Sequence, residues 1–185
     1  MSNDPGYKIL KGTPPPREMI EAAKAEISAD NLQKIQNSTS NLGFEALGWG
    51  ADCDRLLHYG LDLDGDQYLN SLLSGPYKKA RTQTSGVVVW MENPTQLQRL
   101  RAGRNCVFIY RTVEEELGPQ NGLFRIVEGS HRMSTEQVLK EKAKDISLLP
   151  GQAIIMDGEL VIEYPKEGGS RLGLLKSMYK SIPKT

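Results

Sequence analysis

Asn121-Gly122-Leu123-Phe124-Arg125-Ile126-Val127-Glu128-Gly129-Ser130-His131-Arg132 is the stretch on which the fold of this chain turns. An asparagine-glycine pair supplies the left-handed residues of a tight turn, a short apolar and β-branched run follows, and Glu128-Gly129 ends it. Upstream, Val87-Val88-Val89-Trp90-Met91 and Cys106-Val107-Phe108-Ile109-Tyr110 are apolar runs of strand length. Downstream, Ile146 to Leu149, Ala153 to Met156, Leu160 to Tyr164 and Leu172 to Tyr179 continue the series. Gly118-Pro119-Gln120-Asn121-Gly122, Pro150-Gly151, Asp157-Gly158 and Gly168-Gly169 separate these runs, and Asp157-Gly158 suits a tight hairpin. Many short strands at this spacing predict a sandwich or barrel over residues 85–180.

Residues 1–80 have a different texture. Pro14, Pro15 and Pro16 make a stiff lead, after which Met19, Ile20, Ala23 and Ile27 recur at helical spacing and predict a helix from Arg17 to Ile27. A second helical pattern runs through Leu32 and Ile35 toward Ser38, behind a cap at Ser28 or Asp30. A third follows Asp64-Gly65-Asp66, where Tyr68, Leu69, Leu72 and Leu73 form an apolar stripe that Gly75-Pro76 ends. At 185 residues the chain has single-domain length, so residues 1–185 are expected to fold together, the helical part packing on the strands.

The 23 basic and 23 acidic side chains are mixed along the chain, which removes the electrostatic motive for nucleic acid or an anionic membrane as a partner. The opening MSNDPGYKIL has neither the basic start nor the apolar run of a secretory signal, and no later segment is apolar for long enough to span a bilayer. A cytoplasmic protein is expected. Cys53 and Cys106 are too few and too far apart for a disulfide framework or a thiolate zinc site, and Cys106 reads as core. Asn37-Ser38-Thr39 fits a glycosylation sequon that has no secretory route to serve it. In Asp62-Leu63-Asp64-Gly65-Asp66 the glycine precedes the third acid, and Leu73 stands where a calcium loop needs its bidentate glutamate. The run therefore reads as a helix cap.

Asn105 to Met133, with its strand, acidic loop, Asn-Gly turn and Gly129-Ser130-His131 end, resembles the signature of the phytanoyl-CoA dioxygenase family. Ile146 to Met156, with its Pro-Gly turn, and Gly169-Ser170-Arg171-Leu172 resemble the segments that follow in that family, and the likeness covers about Ser85 to Tyr179. The resemblance implies a mainly β fold with N-terminal helices, a double-stranded β-helix of jelly-roll or cupin type. It also implies a facial triad of two histidines and one carboxylate that holds Fe(II) for 2-oxoglutarate and oxygen.

The matching positions carry other side chains. Trp90-Met91-Glu92-Asn93 is similar to the family's Trp-His-x-Asp, which puts Met91 in the place of the imidazole and Asn93 in that of the carboxylate. Gln152 to Ser170 contains no histidine, and Ile162 or a neighbour takes the second imidazole's place. The chain has two histidines, His58 and His131, neither of which begins an HxD or HxE. A thioether, an amide and an alkyl group do not replace that donor set, so no metal and no cofactor is expected. His131 could join Glu92 or Glu163 in an unusual site, but in the family it is chiefly structural; His58 reads as an ordinary satisfied histidine.

A barrel keeps its mouth without the metal, and such mouths hold small molecules. The register places Trp90, Met91, Ile162 and Glu163 around a small-molecule substrate. It gives the catalytic positions to Asn93 as oxyanion donor, Tyr110 as proton donor and Arg171 as anion anchor. Met91 and Asn93 are the inward pair on their strand, which leaves Glu92 to solvent. The expected function is a cofactor-independent isomerase, cyclase or dehydratase of secondary metabolism. The alternative is a non-catalytic pseudo-dioxygenase subunit in a homo- or hetero-oligomer with an active relative. A working Fe(II)/2-oxoglutarate dioxygenase is the remaining reading, and it needs a triad the sequence does not display.

Overall fold

The computed structural model describes residues 4–26, 44–47, 49–90, 99–166 and 172–181. The long apolar runs become the middle of a six-stranded sheet because each is apolar on both faces. Its order is β1 (Tyr7–Leu10), β7 (Ala153–Asp157), β5 (Cys106–Thr112), β9 (Leu172–Tyr179), β3 (Thr82–Trp90) and β2 (Phe44–Leu47). A second sheet of three strands has the order β4 (Arg99–Arg101), β8 (Val161–Glu163), β6 (Arg125–Val127). All the pairings in both sheets are antiparallel.

Strand alternation sorts the central side chains into two cores. Val107 and Ile109 of β5, with Ala153 and Ile155 of β7, join a cluster with the helices, whereas Tyr110, Ile154 and Met156 join one with the small sheet. The helical layer consists of α1 (Arg17–Ala25), α2 (Ala51–His58) and α3 (Gln67–Leu73). Helix α3 starts where the acidic loop predicts: the Asp66 carboxylate accepts the Leu69 N–H at 2.8 Å, and left-handed Ser74 ends it just before Gly75. A fourth helix, α4 (Thr135–Lys140), opens with a capping box between Ser134 and Gln137 and buries Val138 against Val127 and Val161 of the small sheet. The result is a β-rich α+β fold.

Five sequence expectations change. Strands β1 and β2 lie inside residues 1–80, which read as helical, and both are four-residue edge strands whose partners are distant in sequence. Strand β4 and helix α2 also escaped the reading. Ile146 to Leu149 is not a strand; Leu148 makes an isolated bridge to Leu117 just before the Pro150-Gly151 turn. Asp157-Gly158 does not close a hairpin, because β7 pairs with β1 and β5 while β8 pairs with β4 and β6: the turn carries the chain from one sheet to the other. Helix α1 ends at Ala25, and the pattern from Leu32 to Ser38 lies outside the described residues.

Candidate functional site

The space between the sheets is lined from one side by β3, β5, β7 and β9 and from the other by β6, β8 and the residues that follow them. Its polar groups, among the described residues, include two phenols, and Thr112 of β5 and Ser177 of β9 are buried on the same strand faces. Tyr110 projects from β5 and Tyr164 follows β8; their hydroxyls are hydrogen-bonded to each other, and each residue is only 5% exposed. Phe124 presents an edge to both rings, at centroid distances of 5.0 Å to Tyr110 and 6.1 Å to Tyr164, and Phe108 stacks on Tyr110 at 5.9 Å. Burial raises both hydroxyls above the usual phenol value, with a further upward push on Tyr164 from Tyr110. At neutral pH both are uncharged; one O–H is spent on the bond between them, so the pair has a single O–H left to polarise another oxygen and supplies no phenolate.

Ile162 joins this cluster, 1% exposed, paired with Leu100 on one side and Ile126 on the other. Glu163, its neighbour, faces the other way, as strand geometry requires. Its carboxylate lies 2.9 Å from Arg99 Nε and 3.7 Å from Arg125 Nη1 on the outer face of the small sheet. Trp90 is the last residue of β3, opposite Phe44. Met91, Asn93 and Arg171 lie outside the described residues. The structure thus brings Tyr110 and Ile162 together and separates Glu163 from them. Tyr164 is a member of the cluster that the sequence did not single out; the only signal was an aromatic residue closing an apolar run.

Neither imidazole is part of this aromatic cluster. His58, in α2, has Nδ1 2.7 Å from the Asp54 carbonyl and Nε2 2.7 Å from the Tyr77 hydroxyl, on the helical side of the large sheet. His131 sits in a 3-10 turn with Nε2 3.6 Å from the Asp4 carboxylate. Among the described residues, no three His, Cys, Asp or Glu side chains converge on a point, and no helix is long and apolar enough to cross a membrane.

No protein-family model matches the sequence, and no curated protein does. Solved structures do match. AviO1 from Streptomyces viridochromogenes Tue57 aligns over 99% of this chain and 93% of its own, with 16% identity and a TM-score of 0.65. The epimerase SnoN, in complex with Fe3+, alpha ketoglutarate and nogalamycin RO, aligns over 96% of this chain and 80% of its own, with 15% identity and a TM-score of 0.66. SnoK, a non-heme alpha ketoglutarate dependent carbocyclase from nogalamycin biosynthesis, aligns over 96% and 80% with 10% identity and a TM-score of 0.57. The chain shares their fold. At such identities the kinship lies in backbone architecture, and the chemistry has to be argued from the side chains present.

Proposed function

We propose that this chain is a metal-independent enzyme of isomerase, cyclase or dehydratase type, acting on a small apolar molecule beside the inter-sheet cluster. The observation that carries the reading is the position of the two imidazoles. A facial triad needs two histidines and a carboxylate on one metal. The chain has only His58 and His131: His58 lies on the helical side of the large sheet, bonded to Asp54 and Tyr77, and His131 lies in a 3-10 turn beside Asp4. The residues present do not fit Fe(II) held in the usual way, and no step is assigned to iron or 2-oxoglutarate.

In this reading the sheets form a double-stranded β-helix of the phytanoyl-CoA dioxygenase type, with Ile162 where the second imidazole would project. Two sheets that share one apolar cluster support that architecture. Structural neighbours that are a carbocyclase and an epimerase support ring closure and epimerisation as reactions this fold accommodates, although those proteins are alpha ketoglutarate dependent. The reaction types proposed, isomerisation, cyclisation and dehydration, are redox-neutral. Shape and proximity orient the substrate, and Tyr110 donates a hydrogen bond to an oxygen on which charge develops. Asn93 and Arg171 are proposed to add a donor and an anion contact, and Trp90 and Met91 to face the substrate. A cytoplasmic location belongs to the same proposal; Glu163, engaged by Arg99 and Arg125, does not.

Anaerobic addition of Fe(II) and 2-oxoglutarate tests the first half of this reading. The expected result is no visible charge-transfer band and no stoichiometric iron; a protein-bound Fe(II)–oxoglutarate chelate would overturn it. The second half is tested by incubating chelator-treated protein with a panel of small apolar alcohols and ketones. Mass spectrometry should find a product of unchanged mass, or lighter by one water, and turnover that requires added iron contradicts the proposal.

The tight filling of the cluster favours a second reading, a non-catalytic subunit that supports a metal-competent relative. Tyr110 and Tyr164 are nearly inaccessible, as packing residues would be. Native mass measurement, alone and with a co-expressed relative, separates the readings: a stable monomer that ignores the relative counts against the second.

A further inference from the structure

The Gly129-Ser130-His131 end of the signature has no part in the proposed reaction, yet it holds the first described residues of the chain in place. Gly129 N–H donates to the Pro5 carbonyl at 2.8 Å, and Asp157 N–H to the Gly6 carbonyl at 2.9 Å. The Asp4 carboxylate accepts Gly6 N–H at 2.9 Å and the Tyr68 hydroxyl at 3.1 Å, and Arg132 donates to the Asp4 carbonyl. Beyond these anchors the chain becomes β1, which forms an edge of the large sheet and pairs with β7. His131 lies beneath this segment with its side chain 10% exposed.

The two ring nitrogens of His131 differ sharply. Nε2 has the Asp4 carboxylate 3.6 Å away, whereas Nδ1 is buried with no hydrogen-bond partner. Gly6 closes over Nδ1: at φ +85° it sits so near that a Cβ would fall 2.5 Å from Nδ1 and 2.8 Å from Leu160 Cδ2. A neutral imidazole tolerates this, since Nδ1 then presents only a lone pair. An imidazolium donates from both nitrogens, and its Nδ1–H would be buried beside Gly6 with no acceptor.

We propose that His131 is an acid-sensitive latch on the N-terminal segment: protonation of its imidazole releases residues 4–10 from the edge of the large sheet.

The charged groups around the ring do not rescue the protonated state. Asp4 and Asp157 attract it, but both Asp157 oxygens are held by Lys180 at 2.8 and 2.7 Å, and Arg132 follows His131 in the chain; Tyr68 is neutral. Burial is the largest influence and Arg132 and Lys180 add to it, so the imidazole is pulled below the usual histidine value despite the two aspartates. The sign follows. A group with a depressed folded pKa stabilises the closed form fully above its ordinary value, and that stability is lost as pH falls through the range below it. Opening exposes the ring to water, where it takes up a proton at its ordinary pKa, so acid favours the open form.

Amide hydrogen exchange on the full chain tests this, with protection factors corrected for intrinsic rates between about pH 7.5 and about pH 5.5, a range that brackets the ordinary histidine value. Protection of the Tyr7–Leu10 amides should fall several-fold toward the acid end while the amides of β5 hold. In His131→Gln, which cannot titrate, the profile of β1 should be flat. A wild-type profile that is flat at β1, or an equal fall in His131→Gln, overturns the proposal. If His131→Gln does not fold, the wild-type ring resonances decide it. Their titration midpoint should lie below that of free histidine and coincide with the loss of β1 protection; a midpoint at or above the free value overturns it.

Discussion

Arg111 is a guanidinium in a place where an aliphatic side chain is the rule, fully buried between the large sheet and the helices. Its partners are carbonyls rather than a carboxylate: it donates to Leu56 and Leu57 of α2 at 2.6 and 2.9 Å and to Thr13 at 3.3 Å. The first two belong to the C-terminal turn of α2, where the helix dipole is negative. Burial pulls the group down to about 10, still far enough above neutrality to keep it charged. Arg111→Met matches its length but strips the donors from three carbonyls, and urea unfolding should show a loss of roughly 3 kcal/mol. Arg111→Lys should recover only part of this, because an ammonium lacks the planar fork that reaches two carbonyls at once. The hydroxyl pair offers a second test. Tyr110→Phe and Tyr164→Phe each leave the surviving hydroxyl short of its partner, at about 1–2 kcal/mol apiece, and the double variant should cost about 1 kcal/mol less than the sum. Additive losses would mean that the two hydroxyls stabilise the fold independently.

Helix α2 depends on a residue outside itself. Gly50 precedes it without a side-chain cap, and the Glu26 carboxylate serves instead, accepting the N–H groups of Asp52 and Cys53 at 2.9 Å each. Desolvation works to raise the Glu26 carboxyl, but those two backbone bonds and Arg55 outweigh it and hold the group below its ordinary 4.5. Stabilisation from a depressed carboxyl is complete above the ordinary value and drains away as pH falls below it. Glu26→Gln should therefore cost roughly 0.5 kcal/mol at neutral pH after solvent screening, with the difference from wild type shrinking in acid. Gly50→Ala should mimic the loss, because a Cβ at that position runs into the carboxylate. This capping pair also marks the limit of what the sequence discloses. The central strands were legible because Cys106–Thr112 and Ala153–Asp157 are buried on both faces and so read as unbroken apolar runs. Asp66 was legible as a cap because its partner is three residues away. Glu26 caps Asp52 across 26 residues, and β1 finds β7 across most of the chain; neither leaves a local pattern. The site divides in the same way. Tyr110 and Ile162 were read from the register that the family resemblance implies, whereas the Tyr110–Tyr164 bond depends on how the second sheet lies over the first, which no period encodes.

At the scale of the molecule, the large sheet belongs to both cores. Ile154 and Ile155 are consecutive in β7 and both fully buried, yet Ile154 packs with the small sheet and Ile155 with the helices. Neither layer can lose the sheet without the other losing its floor, and Arg111 fastens α2 to β5 through hydrogen bonds that exist only while both are folded. That arrangement predicts one cooperative transition, despite the change of texture near residue 80. Ile154→Ala and Ile155→Ala should each destabilise by about 2–4 kcal/mol. The measurement is urea unfolding followed by pulsed hydrogen exchange of the β5 and β7 amides, which reports the strands, and by tryptophan emission, to which Trp49 in the helical layer contributes. Both probes should move together, and both variants should shift the same midpoint with an unchanged slope. If Ile155→Ala loosened the Trp49 signal while the strand signal kept its wild-type midpoint, the helical layer would be an independent unit resting on the sheet, and the shared floor would not be what holds the layers together.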